Sequence, residues 1–224
     1  ILAYDDDRKT LSENNIGNID VENTLLNSIL FYQFFQRDLK YFYKRINKNN
    51  KTSSINELTF LEFPKKLKPD DSIYLFFVLS ELKNGMNLFN INNNYISRGK
   101  LLTSIFGLCN WIENNLRKKY GDKEKKQNLF LLLTEAYKKK LNMCANFSMP
   151  VKGEDTRSET LEELYRKINI NFKHEKNIDI ANGRLITLIR NYVGHNYSTN
   201  NHILFLDIEK YVSKILNVIF KIFG

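Results

Sequence analysis

The sequence is poor in the residues that build turn-rich folds. Only 9 glycines and 3 prolines occur among 224 residues. A β-sandwich or small barrel needs many tight turns, so this shortage disfavours both. No apolar run approaches the length needed to cross a bilayer and no signal peptide is visible, so we expect no membrane segment. These absences favour an all-α protein.

Residues that bind zinc are also scarce. The chain has two cysteines, Cys109 and Cys144, without CxxC spacing, and three scattered histidines, so no familiar zinc pattern can be assembled. Gly-rich phosphate loops, paired carboxylates and a Ser/His/Asp set do not stand out either. We therefore expect neither a metal nor another cofactor. Both cysteines lie in apolar stretches with helical periodicity, which predicts two reduced, packed thiols in a cytoplasmic protein.

Large apolar residues and positive charge are abundant. Hydrophobic residues make up 42% of the chain, with 16 Phe and 12 Tyr, which is enough to build a core. Lysine and arginine total 34 against 25 acidic residues, a net charge of +9. Such an excess attracts polyanions, above all nucleic acid. A positive surface that only maintains solubility is the alternative.

Helical periodicity recurs along the chain and predicts a helical bundle. We expect a long amphipathic helix from Val21. A second helix should begin at Asp70 or Asp71 and end near Gly85, because glycine often ends helices. The apolar core of that helix, "IYLFFVL", is also compatible with a strand, but the helix formers after it favour a helix. A third helix should cover residues 97–120 and end at Gly121.

The second half of the chain continues the pattern. Residues 127–147 predict another helix, and Thr156 with Glu159 has the form of a capping box for the helix after it. A further helix contains the stretch "RLITLIRNYVGHNYS". The last helix should extend from about Ile203 to Phe223.

That stretch, residues 184–198, places polar residues on the back of an apolar ridge. Residues four apart lie on one face of a helix, so Asn191 and His195 are stacked one turn apart. Arg190 has Gly194 as its neighbour in the next turn, which leaves open space above the guanidinium. The packed side should consist of apolar residues, namely Leu185, Leu188, Ile189 and Tyr192.

This set suits phosphodiester chemistry without a metal. Arginine can bind two phosphate oxygens at once, and histidine exchanges protons near neutral pH. Asparagine can orient either group or a substrate hydroxyl. If the substrate is RNA, its own 2′-hydroxyl can attack the phosphorus, so the protein need only orient and stabilise. The alternative is structural, because an arginine and a histidine at this spacing occur by chance in many helices.

The segment "LIRNYVGHNYS" resembles the signature of HEPN-domain ribonucleases, an all-helical family with the motif R-x(4–6)-H and often Asn directly after the Arg. Here Arg190, Asn191 and His195 match the motif, and Gly194 occupies a position that is usually small. The stretch "LLTSIFGLCNWIENNLRKKYG" resembles the family's earlier core helix, and the final helix resembles its closing one. The resemblance covers about residues 97–224.

The resemblance implies a metal-independent endoribonuclease that cleaves single-stranded RNA, with Arg190, Asn191 and His195 as catalytic residues. It also implies a homodimer, because family members pair two motifs in one composite cleft. The spacing and the residues of the motif most resemble those of CRISPR-associated ribonucleases activated by cyclic oligoadenylate. Toxin-type and abortive-infection relatives in prokaryotic antiviral defence share the motif. A non-catalytic helical module that binds nucleic acid, a nucleotide or a protein is the competing interpretation.

Several basic residues are weaker candidates for RNA binding: Arg98, Lys100, Arg184 and His202. His174 lies in a polar stretch and is expected to be a surface residue. The run "RKKYGDKEKK", residues 117–126, combines basic residues with an aromatic one and suits an RNA groove. A solvated helix end is the alternative for that run.

The chain divides by pattern into three parts. Residues 1–20 are polar without a period and predict a flexible segment. Residues 21–96 predict a helical extension or a link to another domain, and residues 97–224 predict the HEPN-like domain. The chain begins at Ile1 and not at Met, so we expect that an N-terminal sensor domain could be missing from it.

Overall fold

The computed structural model describes residues 18–49, 55–122, 127–145, 147, 166, 177–195, 205 and 207–224. Within these ranges all regular secondary structure is helical, which confirms the all-α prediction. There are seven α-helices in this part of the chain: α1 Asn18–Asn49, α2 Glu57–Glu62, α3 Pro69–Ile91, α4 Tyr95–Tyr120, α5 Leu129–Leu141, α6 Ile178–His195 and α7 Ile208–Phe223. A 3₁₀ turn, Phe63–Lys66, follows α2.

Helices α3 and α4 form an antiparallel hairpin with the most extensive helix–helix contact in the described residues. Its open end is held where the indole N–H of Trp111 donates to the Asp71 carbonyl at 2.8 Å. At the other end, Asn94 caps α4 and forms a reciprocal capping box with Ser97. This capping satisfies backbone donors at the start of α4 and fixes the direction in which α4 leaves the loop.

The predicted bounds of α3 are wrong at both ends. The helix begins at Pro69, where the ring pre-sets the backbone, and continues six residues beyond Gly85 to Ile91. Gly85 is buried inside the helix, and a Cβ there would lie 3.2 Å from the Leu101 Cδ2 atom. This glycine therefore allows α3 and α4 to approach closely and does not end the helix.

Helix α7 lies at the centre of the bundle. It contacts α1, α5 and α6, and nearly all of its residues are buried. Its Phe223 ring packs edge-on against Trp111 with centroids 5.1 Å apart, while Phe220 packs against Phe60 and Phe63. The described helix begins at Ile208, whereas Ile203 and Leu204 lie outside the described residues. Aromatic packing thus joins the middle and the end of the chain.

One hydrophobic core contains buried residues from Phe35 to Phe223. The expected boundary between residues 96 and 97 falls in the first turn of α4. Helices α1 and α3, which precede that boundary, contribute Phe42 and Leu75 to this core. Residues on both sides of the boundary are therefore packed together.

The two cysteines differ in their surroundings. Cys109 is buried in α4, as predicted, and both thiols are free. The prediction of a packed Cys144 is wrong, because α5 ends at Leu141 and Cys144 is exposed. Asn142, at φ 51°, adopts the left-handed conformation that ends α5, and this stop leaves Cys144 outside the apolar side of the helix.

Some predictions concern residues that the structure does not describe. They include the capping box at Thr156 and Glu159, the surroundings of His174 and His202, and the first 17 residues. None of the helices in the described ranges is both long enough and apolar enough to cross a membrane.

Candidate functional site

Helix α6 has a buried side and a partly exposed side. Its apolar residues Leu185, Leu188, Ile189 and Tyr192 are at most 3% exposed, as the sequence pattern predicted. Arg190 and Asn191 lie on the other side and are partly exposed, with 29% of the Arg190 side chain accessible. The helix therefore presents these two polar residues at the surface of the bundle.

Arg190 is held by a carboxylate from α4. Its Nε donates a hydrogen bond to the Glu113 Oε2 atom at 3.1 Å, and its Nη2 atom forms an ion pair with the same oxygen at 3.0 Å. The other oxygen, Oε1, accepts a hydrogen bond from Arg117 Nη2 at 3.0 Å. One carboxylate thus joins two guanidinium groups from two helices, and we call Arg190, Glu113 and Arg117 the arginine cluster.

The local sequence of α4 explains this arrangement. Cys109, Glu113 and Arg117 follow each other at spacings of four and lie on one face of the helix. Glu113 can therefore bind Arg117 within α4 and still reach across to α6. Arg190 lies opposite Glu113, while Gly194 lies opposite Phe106, so α4 and α6 pack antiparallel.

Gly194 is exposed, and a ring from α4 lies on one side of it. A Cβ atom at Gly194 would lie 3.2 Å from the Cε2 atom of Phe106. The Phe106 ring therefore lies against one side of Gly194. Glycine at position 194 allows this ring to approach α6.

Cys109 lies beneath the arginine cluster. Burial raises the pKa of its thiol to about 12, while the Arg190 guanidinium acts in the opposite direction and Glu113 adds to the increase. A thiol with so high a pKa stays protonated at neutral pH and is a poor nucleophile. Cys109 is therefore a packing residue.

His195 is the last residue of α6, one turn beyond Asn191. Its side chain lies outside what the structure describes, as does all of His202. The structure thus brings Arg190 and Asn191 to one surface and places the backbone of His195 at the end of the same helix. The described residues contain no group of three His, Cys, Asp or Glu side chains that could hold a metal ion.

The weaker RNA-binding candidates are not gathered at the arginine cluster. Arg98 is buried, and its Nε donates to the Asn93 side chain at 2.5 Å, while Lys100 pairs with Glu81 on α3 at 2.9 Å. Both precede Glu113 by 13 residues or more on α4, which is about 20 Å along the helix. Arg184 lies six residues before Arg190 and about 120° around α6.

Glu113 and Arg117 were missed as site residues. Their spacing of four with opposite charges was a visible signal, because such pairs interact on a helix surface. The contact that matters for the site joins Glu113 to Arg190 across 77 positions of sequence. Only the packing of α4 against α6 brings these two residues together.

Two guanidinium groups around one carboxylate give the cluster a net charge of +1. Guanidinium groups keep their charge at any physiological pH and bind phosphate oxygens in pairs. With 43% of its side chain accessible, Arg117 is the more exposed of the two arginines. The cluster can therefore bind an anion at the surface.

No protein-family model, no curated protein and no solved structure matches this chain. Fold alone does not determine function, which depends on the chemistry of the site.

Proposed function

We propose that the protein is a metal-independent endoribonuclease that cleaves single-stranded RNA at a site formed by Arg190, Asn191 and His195. The observation that carries the proposal is the arginine cluster, whose Arg190 lies on the helix that ends at His195. It supplies fixed positive charge five residues before His195, and histidine transfers protons near neutral pH. The spacing of the three residues and the charge of +9 on the chain agree with this role.

The proposed reaction uses a hydroxyl of the substrate as its nucleophile. The 2′-oxygen attacks the adjacent phosphorus, a new P–O2′ bond forms and the P–O5′ bond breaks. The products are a 2′,3′-cyclic phosphate and a 5′-hydroxyl end. The 2′-hydroxyl proton passes to a base, an acid protonates the departing 5′-oxygen, and Arg190 stabilises the charge that develops on the phosphate.

An acid and a base are needed in one turnover, and each chain supplies one histidine in the motif. We therefore propose a homodimer in which two copies of α6 face one cleft. One His195 accepts the proton of the 2′-hydroxyl, and the partner copy's imidazole donates one to the 5′-oxygen. Asn191 orients the 2′-hydroxyl or the imidazole one turn away. We place this activity in the cytoplasm, in prokaryotic defence against foreign or cellular RNA.

The test is a cleavage assay on an unstructured RNA in EDTA. We expect the parent protein to cleave, and His195→Ala and Arg190→Ala to lose about 100-fold or more in rate. His174→Ala is the matched histidine control and should cleave like the parent. A 2′-deoxy substitution at the scissile nucleotide should block the reaction. Cleavage by His195→Ala at the parent rate would show that the site is wrong.

Mixing parent and inactive chains tests the composite cleft. If two copies of His195 act in one cleft, an excess of His195→Ala chains that exchange subunits with the parent should lower the activity of the parent chains, because a mixed dimer keeps only one of the two imidazoles. This loss on mixing, together with a dimer in sedimentation, supports the homodimer. A monomer that cleaves at full rate contradicts it.

One observation favours the competing function, a non-catalytic module that binds nucleic acid. The Arg190 guanidinium is already paired with Glu113 through Nε and Nη2, and the side chain is mostly buried. An arginine bound in this way can serve as a contact residue alone. Tight RNA binding without cleavage by a confirmed dimer would identify that function.

A further inference from the structure

A cleft between α3 and α4 opens beside the arginine cluster. It has a volume of about 440 Å³ and is lined by Asp71, Tyr74, Trp111, Asn114, Asn115, Arg117 and Lys118. This volume lies within the range of small-molecule sites in proteins. We call it the α3–α4 cleft.

The cleft and the arginine cluster share one residue. Arg117 lines the cleft and also donates to Glu113, which binds Arg190 with its other oxygen. Around the circumference of α4, the exposed Arg117 lies between Glu113 and Asn114, so the two surfaces adjoin at Arg117. A strand bound at Arg190 can therefore continue into the cleft.

An aromatic wall gives the cleft a place for a flat ring. Tyr74 is 45% exposed, and its hydroxyl would lie 3.9 Å from a Cβ at Gly107, so the side chain leans over α4. Trp111 is buried and forms the floor, where its indole N–H is occupied by the Asp71 carbonyl. Exposed aromatic rings are the usual stacking partners for unpaired bases.

Polar groups line the α3–α4 cleft together with the Tyr74 ring. The Asn114 side chain is exposed at the rim, where its amide can both donate to and accept from a base edge. Lys118 pairs with Asp71 while 57% of its side chain remains accessible. The Asp71 side chain is only 13% accessible. The ammonium group has three donors, so it can bind a phosphate while it keeps the ion pair with Asp71.

Positive charge continues beyond the cleft. The last turn of α4 contains Arg117, Lys118 and Lys119, and the last turn of α5 contains three more lysines. Partial burial and the proximity of Lys140 lower the pKa of Lys119, so these two helix ends are close together. A polyanion at this surface would relieve their repulsion.

We propose that the α3–α4 cleft binds one nucleotide of the RNA strand, next to the phosphate held by the arginine cluster. The base stacks on Tyr74 and meets Asn114 at its edge, while its phosphate contacts Arg117 and Lys118. This inference rests on the proposed function for its substrate class, but it concerns binding and needs no cleavage step. A pocket for an aromatic base, continuous with a phosphate site, favours single-stranded RNA over a duplex, whose bases are stacked inside.

The test measures the binding of a fluorescein-labelled, unstructured 12-nucleotide RNA by anisotropy in the His195→Ala background. We expect Tyr74→Ala to weaken binding about tenfold, because one stacking contact is lost. Lys118→Gln should weaken it about threefold and reduce its dependence on salt. Tyr95→Ala, an exposed tyrosine at the other end of the hairpin, and Lys44→Gln on α1 are matched controls that should bind like the background.

A second measurement reports contact directly. RNA that carries 5-iodouridine should crosslink under ultraviolet light to the peptide that contains Tyr74, and mass spectrometry identifies the peptide. A crosslink elsewhere, with unchanged affinity of Tyr74→Ala and Lys118→Gln, overturns the inference even if the protein cleaves RNA.

The outcomes separate this inference from the proposed ribonuclease. If the parent cleaves RNA and the cleft variants bind RNA normally, the proposed ribonuclease is supported and nucleotide binding in the α3–α4 cleft is contradicted. If RNA binding depends on Tyr74 and the parent does not cleave, nucleotide binding in the α3–α4 cleft is supported and the proposed ribonuclease is contradicted. An absence of RNA binding by the parent protein overturns both.

Discussion

The two halves of α6 treat polar residues in opposite ways. In the first half Asn182 is fully buried, and its Oδ1 lies 3.5 Å from the Nζ atom of the buried Lys214 on α7. In the second half Arg190 is partly exposed and is held by Glu113. Burial, and not polarity, separates a group that supports the fold from one that can meet a ligand.

The largest expected effect separates the two halves by activity. Arg190→Ala should lower the rate of RNA cleavage by about 100-fold or more, because a cation that stabilises the transition state is lost. Asn182→Ala should cleave like the parent but unfold at lower denaturant, since Lys214 loses an acceptor. Cleavage rates and urea unfolding curves measure both. An equal loss of activity in the two variants would contradict this difference between Arg190 and Asn182.

A matched pair of glycines tests the packing of the two halves. A Cβ at Gly183 would overlap the ring of the buried Phe147 and lie 3.0 Å from the Tyr137 hydroxyl. Gly183→Ala should therefore destabilise the protein by about 2 kcal/mol, despite the better helix propensity of alanine. Gly194→Ala meets only the partly exposed Phe106 and should change stability by less than about 0.5 kcal/mol. Thermal or urea unfolding gives both values, and a reversed order contradicts the assignment.

The buried lysine beside Asn182 predicts a pH dependence. Burial, and to a lesser extent Lys210, lower the pKa of Lys214 to about 8. An unfolded lysine titrates near 10.4, so between these values the unfolded chain holds more protons and the contribution of Lys214 to stability rises with pH. Lys214→Met should be more stable than the parent at pH 7 by about 1–2 kcal/mol, and this advantage should shrink as the pH rises through 8.

Urea unfolding of both proteins from pH 7 to pH 10 measures that difference. Other titrations are common to both chains and cancel. A difference that is constant over this range would contradict a depressed pKa for Lys214.

The smallest expected effect concerns Cys109, which is buried beneath Arg190 in the second half of α6. Cys109 is buried with a pKa of about 12, whereas Cys144 is exposed. A disulfide reagent reacts with the thiolate, so at pH 8 it should modify one thiol per native chain and two after denaturation. Two rapidly reacting thiols in the native protein would show that Cys109 becomes accessible beneath Arg190.

Periodicity predicted the buried side of α6 well. Leu185, Leu188 and Ile189 repeat at helical spacing, and a helix on a core has to bury such a stripe. The same pattern predicted the helices on either side of the loop at residues 92–94. What it could not supply was the role of Gly85, because glycine is compatible both with a helix end and with close helix packing.

The arginine cluster was only half predictable. Arg190 and Asn191 were singled out from local spacing, and the structure places both on the partly exposed side of α6. Glu113 was not, since its contact with Arg190 depends on how two distant helices pack. The ring beside Gly194 was not expected either, because it belongs to Phe106 on another helix. Residue spacing within one helix can be read from the sequence, whereas contacts between helices are known only from the structure.

The carboxylate between Arg190 and Arg117 has one more consequence. Two like charges would drift apart in water, and each long side chain has about 2 kcal/mol of rotamer entropy to lose when it is fixed. Glu113 holds both guanidinium groups in one geometry before any anion arrives. That loss is therefore incurred when the chain folds, and a phosphate that binds there keeps more of its contact energy as affinity.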